Sequence, residues 1–210
     1  MKVWFFEIGE PLPQEDNARL HRYGLFSRFL AQRGHDVTIW ASTFSHTPKI
    51  HVAQEDCRQS HDCVTYEFIH GPGYSRNVSY GRIKHNRDFS NKLTHRLRQL
   101  KTDELPDLIF APVPIIEVAA LVTKFAKKNN IPCIVDIRDE WPDEIVNIAP
   151  KVLRPVARAV FRGSYNQMTE ICSLATAITG VSQHQVDYGI KFSRQPTESF
   201  MFPLGYPEKA

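Results

Sequence analysis

The sequence predicts an α/β fold, a doubly wound and largely parallel sheet of about seven strands flanked by helices. Three observations carry this. Short apolar runs rich in β-branched and aromatic residues recur along all 210 residues. Most of these runs lead into segments whose apolar residues repeat at helical spacing. The runs are also nearly continuous in apolar residues, as in strands covered on both faces.

Taken in order, Lys2 to Ile8 is the first strand, and Gly9, Pro11 and Pro13 break it into a loop. From Ala18 the pattern turns helical, with Leu20, Gly24, Ser27 and Ala31 along one face. Asp16 or Asn17 caps its start and Gly34 ends it. Asp36 to Ala41 is the second strand, and this first βαβ unit makes a parallel pair. Ser42 to Cys63 reads as irregular, Val64 to Ile69 as the third strand, and His70-Gly71-Pro72-Gly73 stops it.

A helix from about Gly81 to Leu100 presents Ile83, Phe89, Leu93, Leu97 and Leu100 as its apolar stripe. Pro106 to Ala111 is the fourth strand, followed by a helix carrying Ile115, Val118, Ala119, Val122, Phe125 and Ala126. Ile131 to Ile137 is the fifth strand. Lys151 to Cys172 reads as one helix with Pro155 in its first turn. Ala175 to Thr179 is the sixth strand, Ser182 caps a short helix ended by Gly189, and Phe200 to Phe202 is the seventh strand.

Composition bounds the function. Hydrophobic residues make up 42% and charged residues 23%, as in a folded soluble domain. Apolar runs fall well short of the roughly 18 residues of a membrane span, and the start lacks signal-peptide character. The expected location is therefore cytoplasmic. The four cysteines show no metal-ligand spacing, so no metal is expected; Cys133 and Cys172 read as core thiols. A Cys57–Cys63 bridge is disfavoured, because nothing points to an oxidising compartment.

Net charge is only +3, but its distribution is uneven. Between Tyr74 and Lys101, eight basic residues, among them Arg82, Lys84 and Arg87, face the single acid Asp88. Arg154, Arg158 and Arg162 recur every four residues and form a row on a helix face beside Val156 and Val160. Both features suit an anionic membrane surface or a lipid diphosphate lying on it. Nucleic acid is excluded as a partner, since no aromatic-studded basic groove or reading motif accompanies them.

The densest chemistry lies at the end of the fifth strand, where Arg138, Asp139, Glu140, Trp141, Pro142, Asp143 and Glu144 follow one another. Open α/β sheets place ligands at the carboxyl ends of their strands. The acids lie too close in sequence to flank a bond from opposite faces, which disfavours a glycosidase. No GxGxxG follows the first strand, which disfavours a dinucleotide-binding dehydrogenase.

Four stretches together resemble a known family: RGHDVTIWASTFSH (Arg33 to His46), YSRNVSYGRIKHNRDF (Tyr74 to Phe89), VDIRDEWPDEI (Val135 to Ile145) and ITGVSQHQVDYGI (Ile178 to Ile190). They are similar to the N-terminal domain of retaining family-4 glycosyltransferases of the two-domain GT-B type. The RDEWP element is similar to an RDLWP sequence in the branch that makes capsule, O-antigen or exopolysaccharide. The resemblance implies a Rossmann-like, acceptor-side domain over residues 1–205 and the start of an interdomain linker at 206–210, with the donor-binding domain absent. It implies a nucleotide-sugar donor held mainly by that absent domain, a lipid-linked or growing glycan as acceptor, and no cofactor.

By the same resemblance Asp139 points at the transferred sugar as the catalytic carboxylate, with Arg138 beside it and Trp141 available to stack on a sugar ring. His46 and Phe44 are expected to hold the acceptor. Gly9 and the amides of the first helix are expected to meet a phosphate. Two departures stand out: the Gly9–Pro13 loop lacks the family's Gly-Gly pair, and Pro203-Leu204-Gly205 replaces Pro-Asn-Gly. Two other readings stay open, a sugar-nucleotide epimerase of similar fold and a non-catalytic module binding a glycan or a membrane.

Overall fold

A computed structural model of the chain describes residues 1–12, 20–77, 79–113 and 115–203. The predicted capping residues Asp16 and Asn17, and the linker at 206–210, lie outside them. Eight strands form one sheet in the order β3-β4-β2-β1-β5-β6-β7-β8. These are β1 (Lys2–Glu7), β2 (Asp36–Ser42), β3 (Cys57–His61), β4 (Val64–Ile69), β5 (Leu108–Val113), β6 (Cys133–Ile137), β7 (Ala177–Gly180) and β8 (Glu198–Met201). The chain divides into two compact units, Met1–Ile109 and Phe110–Leu204.

In the first unit β1 pairs in parallel with β2, and β2 with β4. Phe5 points to α1 (Arg22–Gln32), where it meets Tyr23 at 5.1 Å and Phe26 at 5.7 Å between ring centroids. The neighbouring Trp4 and Phe6 point the other way and pack on Trp40 at 5.4 and 6.1 Å. This alternation along β1 buries both faces, each aromatic ring contributing about 1.5–3 kcal/mol. Gly34, at φ 81°, takes the left-handed conformation that closes α1.

Helix α2 (Tyr80–Gln99) starts at Ser79, whose hydroxyl accepts the Arg82 amide at 3.2 Å. Its buried stripe is His85, Phe89, Leu93 and Leu97, four residues apart, and it packs on β4. Ile83, expected in that stripe, is exposed, and His85 takes the buried place one turn before Phe89.

The polar stretch before Cys63, expected to be irregular, contains β3, which runs antiparallel to β4 at the sheet edge. Its residues CRQSH are half-buried or exposed, so pairing with β4, and not apolar content, makes the strand. Cys57 and Cys63 are free thiols.

In the second unit β6, β7 and β8 are mutually parallel. Helix α3 (Ile116–Lys128) packs on β6 and on a later helix, α6 (Arg162–Leu174), where Lys124 and Glu170 pair at 2.9 Å. Cys133 on β6 and Cys172 on α6 are core thiols, and burial pushes both up to about 12.

The single helix expected over Lys151 to Cys172 is broken. A short helix α4 (Asp143–Ile148) and a 3-10 turn (Lys151–Leu153) precede α5 (Arg154–Val160), and α6 begins after Phe161. Pro155 does fall in the first turn of α5. At the break the Phe161 ring stands edge-on to Trp141, at 6.0 Å and 89°. Arg154 and Arg158 therefore belong to α5 and Arg162 to α6, and the expected row does not lie on one helix.

Helix α7 (Gln183–Phe192) is capped by Ser182 as expected but continues past Gly189. That glycine is buried against Ile178 and Ile137, where a Cβ would stand 2.7 and 2.8 Å from their side chains. It is a close-packing residue and not a stop. The expected last strand is β8, shifted to Glu198–Met201 and exposed throughout at the sheet edge.

Candidate functional site

In the first unit the chemistry gathers where β2 and β4 end. Thr43 Oγ1 lies 3.0 Å from both His51 Nδ1 and His70 Nδ1. The Gly73 amide donates to His85 Nδ1 at 3.2 Å, and Ser42 Oγ lies 3.3 Å from His85 Nε2. His46 is half-buried, bonded through Nδ1 to the Tyr74 hydroxyl, with the Lys49 ammonium on its carbonyl oxygen. Burial, then the charges of Lys49 and Arg82, lower the His46 pKa against the pull of Glu7, so its ring is neutral at pH 7. Burial and His70 lower His51 as well.

Phe44 does not face a ligand. It is 4% exposed and wedged against His51, Tyr74 and His85 at 5.1, 4.7 and 5.4 Å. Its ring packs on Tyr74, the residue that bonds His46. The remaining histidines of this cluster come from separate loops and from α2, and no sequence spacing ties them together. Despite their number, no group of three or more His, Cys, Asp or Glu side chains among the described residues is arranged to hold a metal ion.

The phosphate expectation at the first loop meets a different arrangement. Glu7 Oε1 accepts the Ile8 amide at 2.9 Å and the Gly9 amide at 2.7 Å. The buried Glu10 carboxylate accepts the Tyr23 and Gly24 amides at 2.9 Å each. The chain's own carboxylates thus satisfy the Gly9 amide and the first-turn donors of α1 that an anion would use.

In the second unit β6 ends on the loop that stood out in the sequence. Asp136, 1% exposed, accepts the Thr179 hydroxyl at 2.7 Å and ties β6 to β7. Arg138 is fixed by its backbone: its amide donates to Val113 O at 3.1 Å and its carbonyl accepts Gln185 Nε2 at 2.7 Å. Asp139 is exposed and makes no hydrogen bond or ion pair among the described residues.

Its neighbours are committed. Glu140 pairs with His184. The half-buried Trp141 leads through a cis peptide to the buried Pro142. Asp143 accepts the Tyr165 hydroxyl, and its amide donates to Tyr188 Oη at 3.4 Å. Burial and Asp143 push the Tyr165 phenol up to about 12 although Arg158 bonds it, and burial raises Tyr188 further. No spacing in the sequence announces this network, whose partners lie 22 and 45 residues away.

Of the predicted basic contacts, Arg154 donates to the carbonyls of Ala149 at 3.3 Å and Asn147 at 3.1 Å, tying α5 to the end of α4. Arg158 and Arg162 are exposed, as are Lys84 and Arg87 on α2; Arg82 is half-buried and donates to Asn77 O at 3.1 Å. Along α4, the 3-10 turn and α5, Ile148, Val152, Val156 and Val160 are 77, 84, 61 and 74% exposed. Among the described residues no helix is long and apolar enough to cross a membrane.

A largely parallel sheet flanked by helices, with polar groups collected at its strand ends, defines a doubly wound, Rossmann-like domain, and it matches domains of GT-B glycosyltransferases. Sucrose-phosphate synthase from Thermosynechococcus elongatus superposes with a TM-score of 0.56 at 9% identity, over 98% of this chain and 90% of that one. Arabidopsis thaliana UGT89C1 gives 0.53 at 13% identity, over 100% of this chain and 52% of that one. Anabaena Alr3699/HepE in complex with UDP-glucose gives 0.50 at 13% identity, over 98% and 44%. The chain thus spans about half the length of the latter two. No curated protein sequence matches it. Residues 25–206 match Glycosyltransferase Family 4, and the chain belongs to that family.

Proposed function

We propose that the chain is the N-terminal, acceptor-side domain of a retaining glycosyltransferase. It takes part in moving a sugar from a nucleotide-sugar to a lipid-linked or growing glycan, in surface polysaccharide synthesis at the cytoplasmic face of the membrane. The observation that carries this is Asp139, a solvent-facing carboxylate at the tip of β6 without a partner among the described residues, beside acids that are already paired. An exposed carboxylate at the carboxyl end of a strand lies where open α/β sheets receive their ligands.

As the bond from the anomeric carbon to the diphosphate breaks, positive charge develops on the sugar ring, and the Asp139 carboxylate stabilises it. Arg138 and Trp141 flank the sugar. In the first unit His46, its pKa lowered by burial, is a hydrogen-bonding group suited to an acceptor hydroxyl. The UDP-glucose complex of Anabaena Alr3699/HepE supports a donor of the same class. The exposed Val152, Val156 and Val160, together with the exposed Lys151, Arg158 and Arg162, support contact with an anionic membrane.

Transfer of labelled sugar by the complete enzyme tests the reading. Asp139→Asn is expected to lower turnover about 10²–10³-fold, the usual loss on removing one transition-state contact, with Glu140→Gln within severalfold of the parent. Near-normal turnover of Asp139→Asn removes it from the site.

A further inference from the structure

We propose that Gln185 is a positioning residue for Asp139: on the reading of Asp139 as the carboxylate that faces the sugar, Gln185 holds that carboxylate in place.

Asp139 makes no hydrogen bond or ion pair of its own among the described residues, so the backbone on either side of it sets its place. The Arg138 amide donates to the carbonyl of Val113, the last residue of β5, at 3.1 Å. The Arg138 carbonyl accepts Gln185 Nε2 at 2.7 Å, from a residue 47 positions further on. That carbonyl shares a planar peptide unit with the Asp139 nitrogen, so the Gln185 bond fixes the plane from which Asp139 departs.

Gln185 is itself held. Its Oε1 accepts the Ser182 hydroxyl at 2.9 Å, which leaves Nε2 as the donor and settles which way the amide faces. Ser182 Oγ also accepts the Gln185 backbone amide, at 3.4 Å, as the cap of α7. Gly180 at the end of β7 permits the approach, since a Cβ there would stand 3.0 Å from Gln185 Cβ and 3.0 Å from the Val186 nitrogen. Gly180 is in register with Ile137, the last residue of β6. The first turn of α7 thus sits against the end of β7, and Gln185 reaches from there to the loop after β6.

On the other side of Asp139, Glu140 pairs with His184 of the same helix. That contact is the weaker of the two, because the His184 side chain is 78% exposed and exposed ion pairs contribute little. Gln185 and Arg138 are both half-buried. A group that acts on developing charge has to be placed to within a fraction of an ångström, and a shift of about 1 Å costs about 10²-fold. The Gln185 bond is the one on which the place of Asp139 depends.

Transfer of labelled sugar by the complete enzyme is measured for Gln185→Met, which keeps the length of the side chain and loses the donor, alone and combined with Asp139→Asn. Gln185→Met is expected to lower kcat about 10- to 100-fold, with KM for the nucleotide-sugar within about twofold of the parent, because a displaced Asp139 weakens the transition state and not donor binding. In the Asp139→Asn background the same change should cost less than about twofold, since no carboxylate is left to place. If Gln185→Met fails to fold, Gln185→Glu, which still accepts from Ser182 and cannot donate to Arg138, goes through the same cycle. Unchanged kcat, a loss carried by KM alone, or an equal loss in both backgrounds would overturn the positioning role and leave Asp139 in the site. Near-normal turnover of Asp139→Asn would instead remove Asp139, and the role of Gln185 with it.

Discussion

The buried His85 makes stability of the first unit depend on pH in a way the structure lets one work out. Its ring is fully buried, the Gly73 amide donates to Nδ1, and Nε2 faces the Ser42 hydroxyl. Nδ1 is therefore the acceptor and Nε2 carries the proton. A second proton on Nδ1 would set two donors against each other.

Burial, and then His51, hold the His85 pKa down to about 4 from 6.5, with His70 and Lys92 adding to the shift and Asp88 opposing it. A native pKa below the unfolded one means the unfolded chain takes up the proton first. Stability is then fully present above about pH 6.5, declines as the pH falls, and stops declining near pH 4. A difference of about 2.5 units at 1.36 kcal/mol each gives a loss of about 3 kcal/mol.

Urea unfolding of the parent and of His85→Gln between pH 7.5 and 4.5 measures it. Glutamine can donate to Ser42 and accept from Gly73 but does not titrate. His46 and His51, whose pKa values are also lowered, leave some slope in the variant, so the difference between the two profiles is the quantity of interest. Parallel profiles would refute the assignment.

Two further outcomes are expected. Gly189→Ala forces a Cβ to within 2.7 Å of Ile178 and 2.8 Å of Ile137, an overpacking cost of about 1–3 kcal/mol set against about 1 kcal/mol of helix propensity. A lowered melting temperature is expected, and an unchanged or raised one contradicts the close packing. Sedimentation with anionic vesicles should weaken by at least about 30-fold when Arg158 and Arg162 are both changed to Glu, since losing the two positive charges alone costs about 1 kcal/mol each, and should weaken with salt. Salt-insensitive or absent binding rejects membrane contact.

The strands that were legible in the sequence are those buried on both faces, such as the FF pair of β1 and the IVDI run of β6, because burial there demands apolar residues at successive positions. β3 was illegible for the opposite reason: CRQSH sits at the antiparallel sheet edge, and its backbone bonds to β4 need no apolar side chains. The break at Phe161 was hidden because arginine spacing continues through it. Gly189 looked like a helix stop because a glycine needed for close approach and a glycine needed for a turn are the same letter.

Of the candidate site, the place of Asp139 just past a strand end was legible, because the apolar run of β6 stops at Ile137 and charge follows it. The Asp143–Tyr165 pair and the histidines around Thr43 were not, since long-range hydrogen bonds leave no periodic mark.

Glu7 and Glu10 bear on which part of the reaction this chain serves. An incoming diphosphate at the β1–α1 turn would have to displace carboxylates bonded to four amides. Hydrogen bonds to charged groups contribute about 1.5–3 kcal/mol each, and the displaced acids would remain close to the phosphate and repel it. A family member that used this turn for phosphate would keep its amides open and its loop rich in glycine. Here the amides are closed by residues of the chain itself, and the loop has one glycine before Glu10. Within the first unit, the strand ends carry His46 and Tyr74, hydrogen-bonding groups suited to hydroxyls, with the Lys49 ammonium beside them. The closed amides argue against a diphosphate held at the β1–α1 turn.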